Sequence, residues 1–436
     1  MALTSSDSAR PLRHGRLHTP HHPRATFINW GLSYLCRPLA VFEPETEYQC
    51  ELIFELARRE GKTVRATGVG HSPSDLACTT GYMLRTEKLN EIIEVNTEKR
   101  YVVAQGGVTL NAVHAALDAH GLAMTNLGSI SDQTLAGMVT TSTHGSGIDY
   151  KVLSTHVLSL LLLLPDGSRV RCSREDRPDL FMASLCGLGS TGLILEVKLE
   201  VERAFRLKET QETLPFDQVL DKFDDLVHSA EHVRFWWFPA ARVVRVSAAN
   251  RSNEPKKPVS TWLWHSLISY HLLQFLFFLG RFITSLNPLI GRFGAWLVSD
   301  YTVAVDDSYR IFNVDCKYPQ YTTEWAIPYA HARACLQEMQ TWLDEEHANP
   351  NGLRPHFPIE IRPYGLSVPY RKLFERYERA PFRPDDLRKL YPRFDDFIRV
   401  LEEVDPRGML RNEYVNRHLF GAQGPAYGER VFKVKH

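Results

Sequence analysis

Three stretches of the sequence combine residue types whose chemistry depends on their spacing. The first is Thr67-Gly68-Val69-Gly70-His71-Ser72. Its glycines lack a Cβ and tolerate positive φ, so backbone can approach a ligand closely. Successive N–H groups in such a turn form a nest that suits a pyrophosphate. Taken alone, a Gly-x-Gly beside a histidine is equally an ordinary turn, and no third glycine opens a helix as in the dinucleotide fingerprint of doubly wound folds. The second stretch, Asn126 to Gly147, is crowded with small residues, among them Ser129, Thr134, Gly137, Thr140, Thr143, His144 and Gly145. It has no helical period long enough for a core element and reads as a polar loop, yet it contains no lysine, glutamate or proline. Small hydrogen-bonding groups at short spacing suit a buried polar ligand. The third is Glu360-Ile361-Arg362. On a strand, residues two apart project to one face. Such a pair is either a surface ion pair or a carboxylate and fixed cation that hold a substrate while charge develops on it.

Taken with its surroundings, the first stretch resembles a known loop. Arg65 to Asp75 is similar to the pyrophosphate loop of the vanillyl-alcohol-oxidase type of FAD-binding domain, and most closely to that of the aldonolactone oxidases, the fungal D-arabinono-1,4-lactone oxidases in particular. Pro73 to Thr79 shares that likeness, and the hydroxyl-rich stretch resembles the family's second FAD segment. Cys186 to Leu199, which includes Ile194, resembles the strand that closes over the adenine side. His356 to Arg362 resembles the family's active-site Glu-x-Arg, and the likeness extends from Phe27 to Gly421. The resemblance implies an α+β flavoprotein with FAD covalently attached through His71. It also implies cofactor contacts along Thr67–Ser72, at Ser129, Thr134, Gly137, Thr140, Thr143, His144 and Gly145, and at Ile194. Glu360 and Arg362 then face the flavin and a sugar lactone, which is oxidised at the carbon next to its carbonyl while O2 becomes H2O2. A mitochondrial membrane location is implied too, with association on the cytoplasmic side of a membrane as the alternative.

The sequence departs from the family in two places. Arg362 runs directly into Pro363-Tyr364, where the family has a further segment between. No His-Trp-x-Lys motif precedes Arg383-Pro384-Asp385-Asp386; only Ala380-Pro381-Phe382 separates Arg379 from Arg383. Two other readings therefore stand beside the oxidase: a dehydrogenase passing electrons to a cytochrome or quinone, and a catalytically impaired paralogue or truncated gene model.

The elements that must position these residues follow from pattern. Thr46 is a candidate N-cap for a helix carrying Leu52, Ile53, Leu56 and Ala57, with Gly61 as its stop. Short strands are expected at Lys62–Val64, Tyr82–Leu84, Glu91–Val95, Tyr101–Ala104 and Val157–Leu164, with a helix through Leu110, Val113 and Leu117. Further strands are expected at His232–Pro239, Phe312–Tyr318 and Thr323–Tyr329, then a helix over Ala330–Leu343. These give a leader over 1–26, an FAD-binding domain over 27–204, a substrate domain over 205–395 and a C-terminal segment over 396–436 that returns to the first domain. Within the substrate domain, 259–298 is apolar and free of acids up to Val298, broken by Asn287-Pro288, and reads as a membrane-surface attachment, with a buried helical pair or an oligomer contact as the alternatives. Lysine plus arginine equals aspartate plus glutamate at 51 each, so no bulk field draws the chain to nucleic acid. Seven scattered cysteines without a Cys-x-x-Cys argue against a zinc site or disulfide scaffold and for a reducing compartment.

Overall fold

The protein is described here from a computed structural model covering residues 26–257, 271–314, 322, 324–355, 358–365 and 383–422. Its first helix forms where capping and an apolar stripe agree. Thr46 accepts a hydrogen bond from the Gln49 N–H, and Glu47–Glu60 then buries Cys50, Ile53, Phe54 and Ala57. The following strand runs Val64–Thr67, two residues later than the composition of Lys62–Val64 implies, because Val64 N–H donates to the Met409 carbonyl, 2.7 Å away, and sets where the sheet begins.

Two sheets build this part of the molecule. Ala40–Phe42, Tyr82–Arg85 and Val64–Thr67 form a parallel three-stranded sheet. Arg169–Ser173, Val157–Leu163, Leu193–Glu200, Tyr101–Gln105 and Ile92–Asn96 form an antiparallel sheet of five, in that order. The two sheets share a core of Phe42, Val64, Leu84, Leu163, Leu193 and Leu195, and Leu160 and Val197 of the antiparallel sheet join Leu110, Val113, Met138 and Phe181 in a larger one. Leu135–Thr140 is a helix, contrary to its reading as a loop. Thr134 caps it, and Leu135, Met138 and Val139 face the core at helical spacing.

A second antiparallel sheet of five strands, Thr302–Asp307, Arg206–Pro215, Val243–Ser252, His232–Phe238 and Ile359–Ile361, forms a separate layer. The aromatic-rich strand His232–Phe238 buries Phe235 and Trp237 against Phe216, Phe223 and Leu336, so most of its aromatics are core. Tyr329–Ala348 is the long helix of this layer. Two strand expectations are corrected. Phe312 ends the helix Ser308–Phe312, since Arg234 takes the carbonyls of Ile311 and Phe312 and fixes the chain there; residues 315–318 lie outside the described residues. Between Glu324 and Pro328 the chain is irregular and forms part of a cavity wall.

The apolar segment is described from residue 271 onward; 258–270 lie outside the described residues. Leu273–Gly280 and Asn287–Leu297 form two short helices, with Pro288 near the start of the second. Among the described residues no helix is long and apolar enough to cross a membrane. The C-terminal helices return to the first body, where Phe394, Phe397, Leu401, Tyr414 and Val415 join its core.

Candidate active site

A cavity of about 1850 Å³ opens between the two bodies. One wall is the turn Thr67–Ser72, one the stretch Gly128–His144, and one the loop and strand from Leu188 to Ile194. Glu324–Tyr329 and Pro358–Gly365 close it from the second body. All the residues picked out by motif reach this cavity except Gly145, which stands behind the wall and offers its carbonyl to His144.

The turn is built for close approach. A Cβ added to Gly68 would lie 2.3 Å from Thr134 Oγ1, so only glycine lets the turn sit against the capped helix. Gly70 has φ +77° and lies over the Phe27 ring. An N-terminal hairpin covers the same turn. Trp30 N–H donates to the Gly70 carbonyl at 2.8 Å, and Asn29 Nδ2 donates to the Ser72 carbonyl at 3.0 Å. Trp30 stacks on the His71 ring with centroids 4.9 Å apart. Burial lowers the His71 pKa against the opposing pull of Asp132, whose carboxylate is 3.9 Å from Nε2. The ring is therefore held as neutral imidazole, the form with a free nitrogen lone pair.

The hydroxyl-rich stretch spends several of its hydroxyls on groups of its own. Thr134 Oγ1 accepts from Gly137 N–H, Thr140 Oγ1 donates to the Ala136 carbonyl, and Thr143 Oγ1 donates to Gln133 Oε1. Ser129 points instead at the catalytic candidates. Its Oγ is 3.3 Å from Glu360 Oε1 and 3.3 Å from Arg362 Nη1. Its position is fixed from behind by Val314 N–H, which donates to the Ser129 carbonyl at 2.8 Å. Ser131 Oγ donates to Asn313 Oδ1, so the hydrogen between it and His114 Nε2, 3.0 Å away, belongs to the histidine. Burial pushes the His114 pKa down to about 4, which keeps that ring neutral.

Arg362 lies just past the strand Ile359–Ile361 and is bracketed by carboxylates. Glu360 Oε1 is 3.6 Å from Nε and Glu324 Oε1 is 3.5 Å from Nη2. Burial works against its charge, but the two carboxylates outweigh that and raise its pKa. Glu324 also reaches His144 Nε2 at 3.0 Å, and the His144 ring stacks on Tyr364 at 4.0 Å. Sequence reasoning missed Glu324 and Trp30. Glu324 meets His144 across 180 positions of sequence, and no local period marks either residue.

The donor set fits FAD. The cavity exceeds the ~300–1,000 Å³ of common small-molecule pockets, so a dinucleotide and a sugar-sized substrate have room together. The Gly-x-Gly turn lines the cavity, where a diphosphate would approach it. Behind it lies the buried Arg65, held by the carbonyls of Leu76 and Leu188 at 2.8 and 2.6 Å, with Nη1 unpartnered. Burial draws its pKa down only to about 10, so it stays cationic at neutral pH and complements a diphosphate.

Comparison with known proteins supplies the family. The chain is 36% identical to the L-gulonolactone oxidase of Scyliorhinus torazame, over 90% of this chain and 98% of that protein. The sequence model of D-arabinono-1,4-lactone oxidase matches residues 197–381 and 372–418. The chain belongs to the D-arabinono-1,4-lactone oxidase family. As a member of this family of flavoprotein oxidoreductases it also carries the FAD binding domain, matched over residues 38–173. The D-arabinono-1,4-lactone oxidase of Candida glabrata is 30% identical, over 79% of this chain and 67% of that protein. In fold, a cholesterol oxidase from B. sterolicum superposes with a TM-score of 0.75 over 95% of this chain and 100% of that one, at 15% identity. The two family matches overlap at 372–381, beside the place where His-Trp-x-Lys is missing, which lies outside the described residues.

Proposed function

We propose that this family member oxidises an aldono-1,4-lactone, D-arabinono- or L-gulono-1,4-lactone being the test substrates, at the carbon next to the carbonyl, with FAD held at His71 and O2 as acceptor. The observation that carries this reading is Arg362, bracketed by Glu360 and Glu324 in the cavity that also presents His71. The chemistry that bound FAD supplies is hydride acceptance and transfer of the electrons to O2. The chain's residues supply position and charge. Arg362 stabilises the negative charge that develops as the carbinol becomes a carbonyl, where a fixed guanidinium acts without reorganisation. Glu360, oriented by Ser129 Oγ, accepts hydrogen bonds from the sugar hydroxyls and takes the proton of the reacting one. Trp325 and Ile327 give the cavity an apolar side that limits water around the lactone.

Oxygen uptake with each lactone, with and without an artificial electron acceptor, tests the reading. Oxygen consumption with stoichiometric H2O2 is the expected result. Turnover only with the artificial acceptor would make the protein a dehydrogenase, and flavin that stays oxidised under anaerobic lactone would make it a non-catalytic flavin binder.

A second feature supports attachment to a membrane surface, on the mitochondrial membrane or the cytoplasmic side of another. Phe275, Phe278, Phe282, Ile283, Leu289 and Trp296, on the two short apolar helices and the turn between them, are all more than half exposed. Contiguous exposed apolar side chains of this kind mark interaction sites, and amphipathic pieces lie in the interfacial layer rather than crossing it. The double substitution Phe278→Ser with Phe282→Ser should markedly reduce co-sedimentation with phosphatidylcholine–phosphatidylserine vesicles while leaving flavin content unchanged. Equal sedimentation of the variant and the parent protein would remove the hairpin from any membrane role.

A further inference from the structure

On the reading of the cavity as a lactone-oxidising site, we infer that His144 and Glu324 share a single proton and that Glu324 is a positioning residue through which that proton sets the place of Arg362. The two ring nitrogens of His144 face different acceptors. Nδ1 is 2.8 Å from the Gly145 carbonyl oxygen, which can only accept, so Nδ1 carries a hydrogen. Nε2 is 3.0 Å from Glu324 Oε1. A nitrogen lone pair and a carboxylate repel at that distance, so one proton lies on the contact. It makes the pair either imidazolium with carboxylate or imidazole with carboxylic acid.

The neighbours decide between the two. Glu324 Oε1 is also 3.5 Å from Arg362 Nη2, and a guanidinium favours the ionised carboxylate. With Glu324 ionised, the proton belongs to His144. Among the described residues at this end of the cavity, Glu360 and Glu324 are then matched by Arg362 and by His144, and no lysine is among the described residues lining it. Among the described residues, the Tyr364 ring also faces the pair, its centroid 4.0 Å from that of the imidazole, and Ser129 donates to the neighbouring Glu360. The electron-rich face of the phenol ring suits a cationic partner.

The consequence has a definite sign. While the proton is present, Glu324 Oε1 is held by both His144 and Arg362. As pH rises and the proton leaves, the lone pair of Nε2 faces a carboxylate, the contact becomes repulsive, and Arg362 loses one of its two anchors. Lactone oxidation should therefore fall on the alkaline side with the loss of this one proton. Neither His144 nor Glu324 transfers a proton to or from the lactone in this account.

Glu324→Gln tests it, because an amide nitrogen in the place of Oε1 donates to neutral Nε2 without any shared proton, while the Arg362 contact that the same oxygen accepts in the parent protein is lost. The first readout is the rate of anaerobic flavin reduction by lactone across pH. The parent protein should show an alkaline limb, and the variant should lose that limb, with its plateau lowered by roughly 10-fold to 100-fold, the scale of a small misplacement of a reacting group. The second readout is the flavin absorbance of the oxidised protein, titrated without substrate: a single step in the parent protein, absent in the variant. A variant that keeps the alkaline limb at the same pH, or a parent protein with no spectral step, would overturn the inference. A parent protein that shows the step but whose flavin no lactone reduces would instead sink the proposed function and leave the shared proton standing.

Discussion

Replacing Arg362 by alanine should lower the rate of flavin reduction by lactone by about 10²- to 10³-fold, the loss typical of removing one preorganised donor from a site of developing charge. Flavin content should remain at the parent level, because Arg362 belongs to the second body and contacts Glu324, Glu360 and Ser129 rather than the turn around His71. The effect has two parts. Charge stabilisation is lost, and Glu360 and Glu324 lose the guanidinium that both contact. Arg362→Lys should recover only part of the rate. An ammonium is a point charge and cannot face both carboxylates and Ser129 from one plane as the guanidinium does. Stopped-flow reduction under anaerobic conditions measures this directly, and a near-parental rate for the alanine variant would show that the arginine only holds the strand end in place.

His71→Ala should abolish covalent flavin. After acid precipitation the variant's FAD should be wholly in the supernatant, while the parent protein's should stay with the pellet. The proposed attachment would use the partly buried, neutral imidazole under Trp30 as its nucleophile. Flavin that remains on the denatured variant would place the attachment elsewhere. Noncovalent binding should survive in part, because the Gly68 approach to Thr134 and the buried Arg65 are untouched by the change.

Much of the first body was legible because its signals are local. Thr46 with the stripe Ile53, Leu56 and Ala57 gives the first helix, and alternation gives Tyr101–Gln105. The helix Leu135–Thr140 was hidden by its glycine and threonines. Yet Leu135, Met138 and Val139 carry the helical spacing, and Thr134 has the residue type of an N-cap. Residues 312–314 and 324–328 misled because aromatic and β-branched composition reads as strand. There the conformation is set by Arg234 and by the cavity, which are long-range demands. The site divides in the same way. The glycines, His71, Glu360 and Arg362 sit in compact motifs, whereas Glu324 and Trp30 become functional only through contacts made by the fold.

The segment that returns from the far end of the chain bears on the order of assembly. Asn412 Nδ2 donates to the carbonyls of Leu76 and Cys78 at 2.7 and 2.8 Å, Arg417 pairs with the buried Asp75, and Met409 supplies the carbonyl that starts the strand leading into the Gly-x-Gly turn. The seat of the cofactor near residue 71 is therefore finished by residues made more than 330 positions later. A nascent chain that has not yet gained residues 409–417 lacks these braces, so a stable seat for the flavin can form only after that segment has been made and has docked.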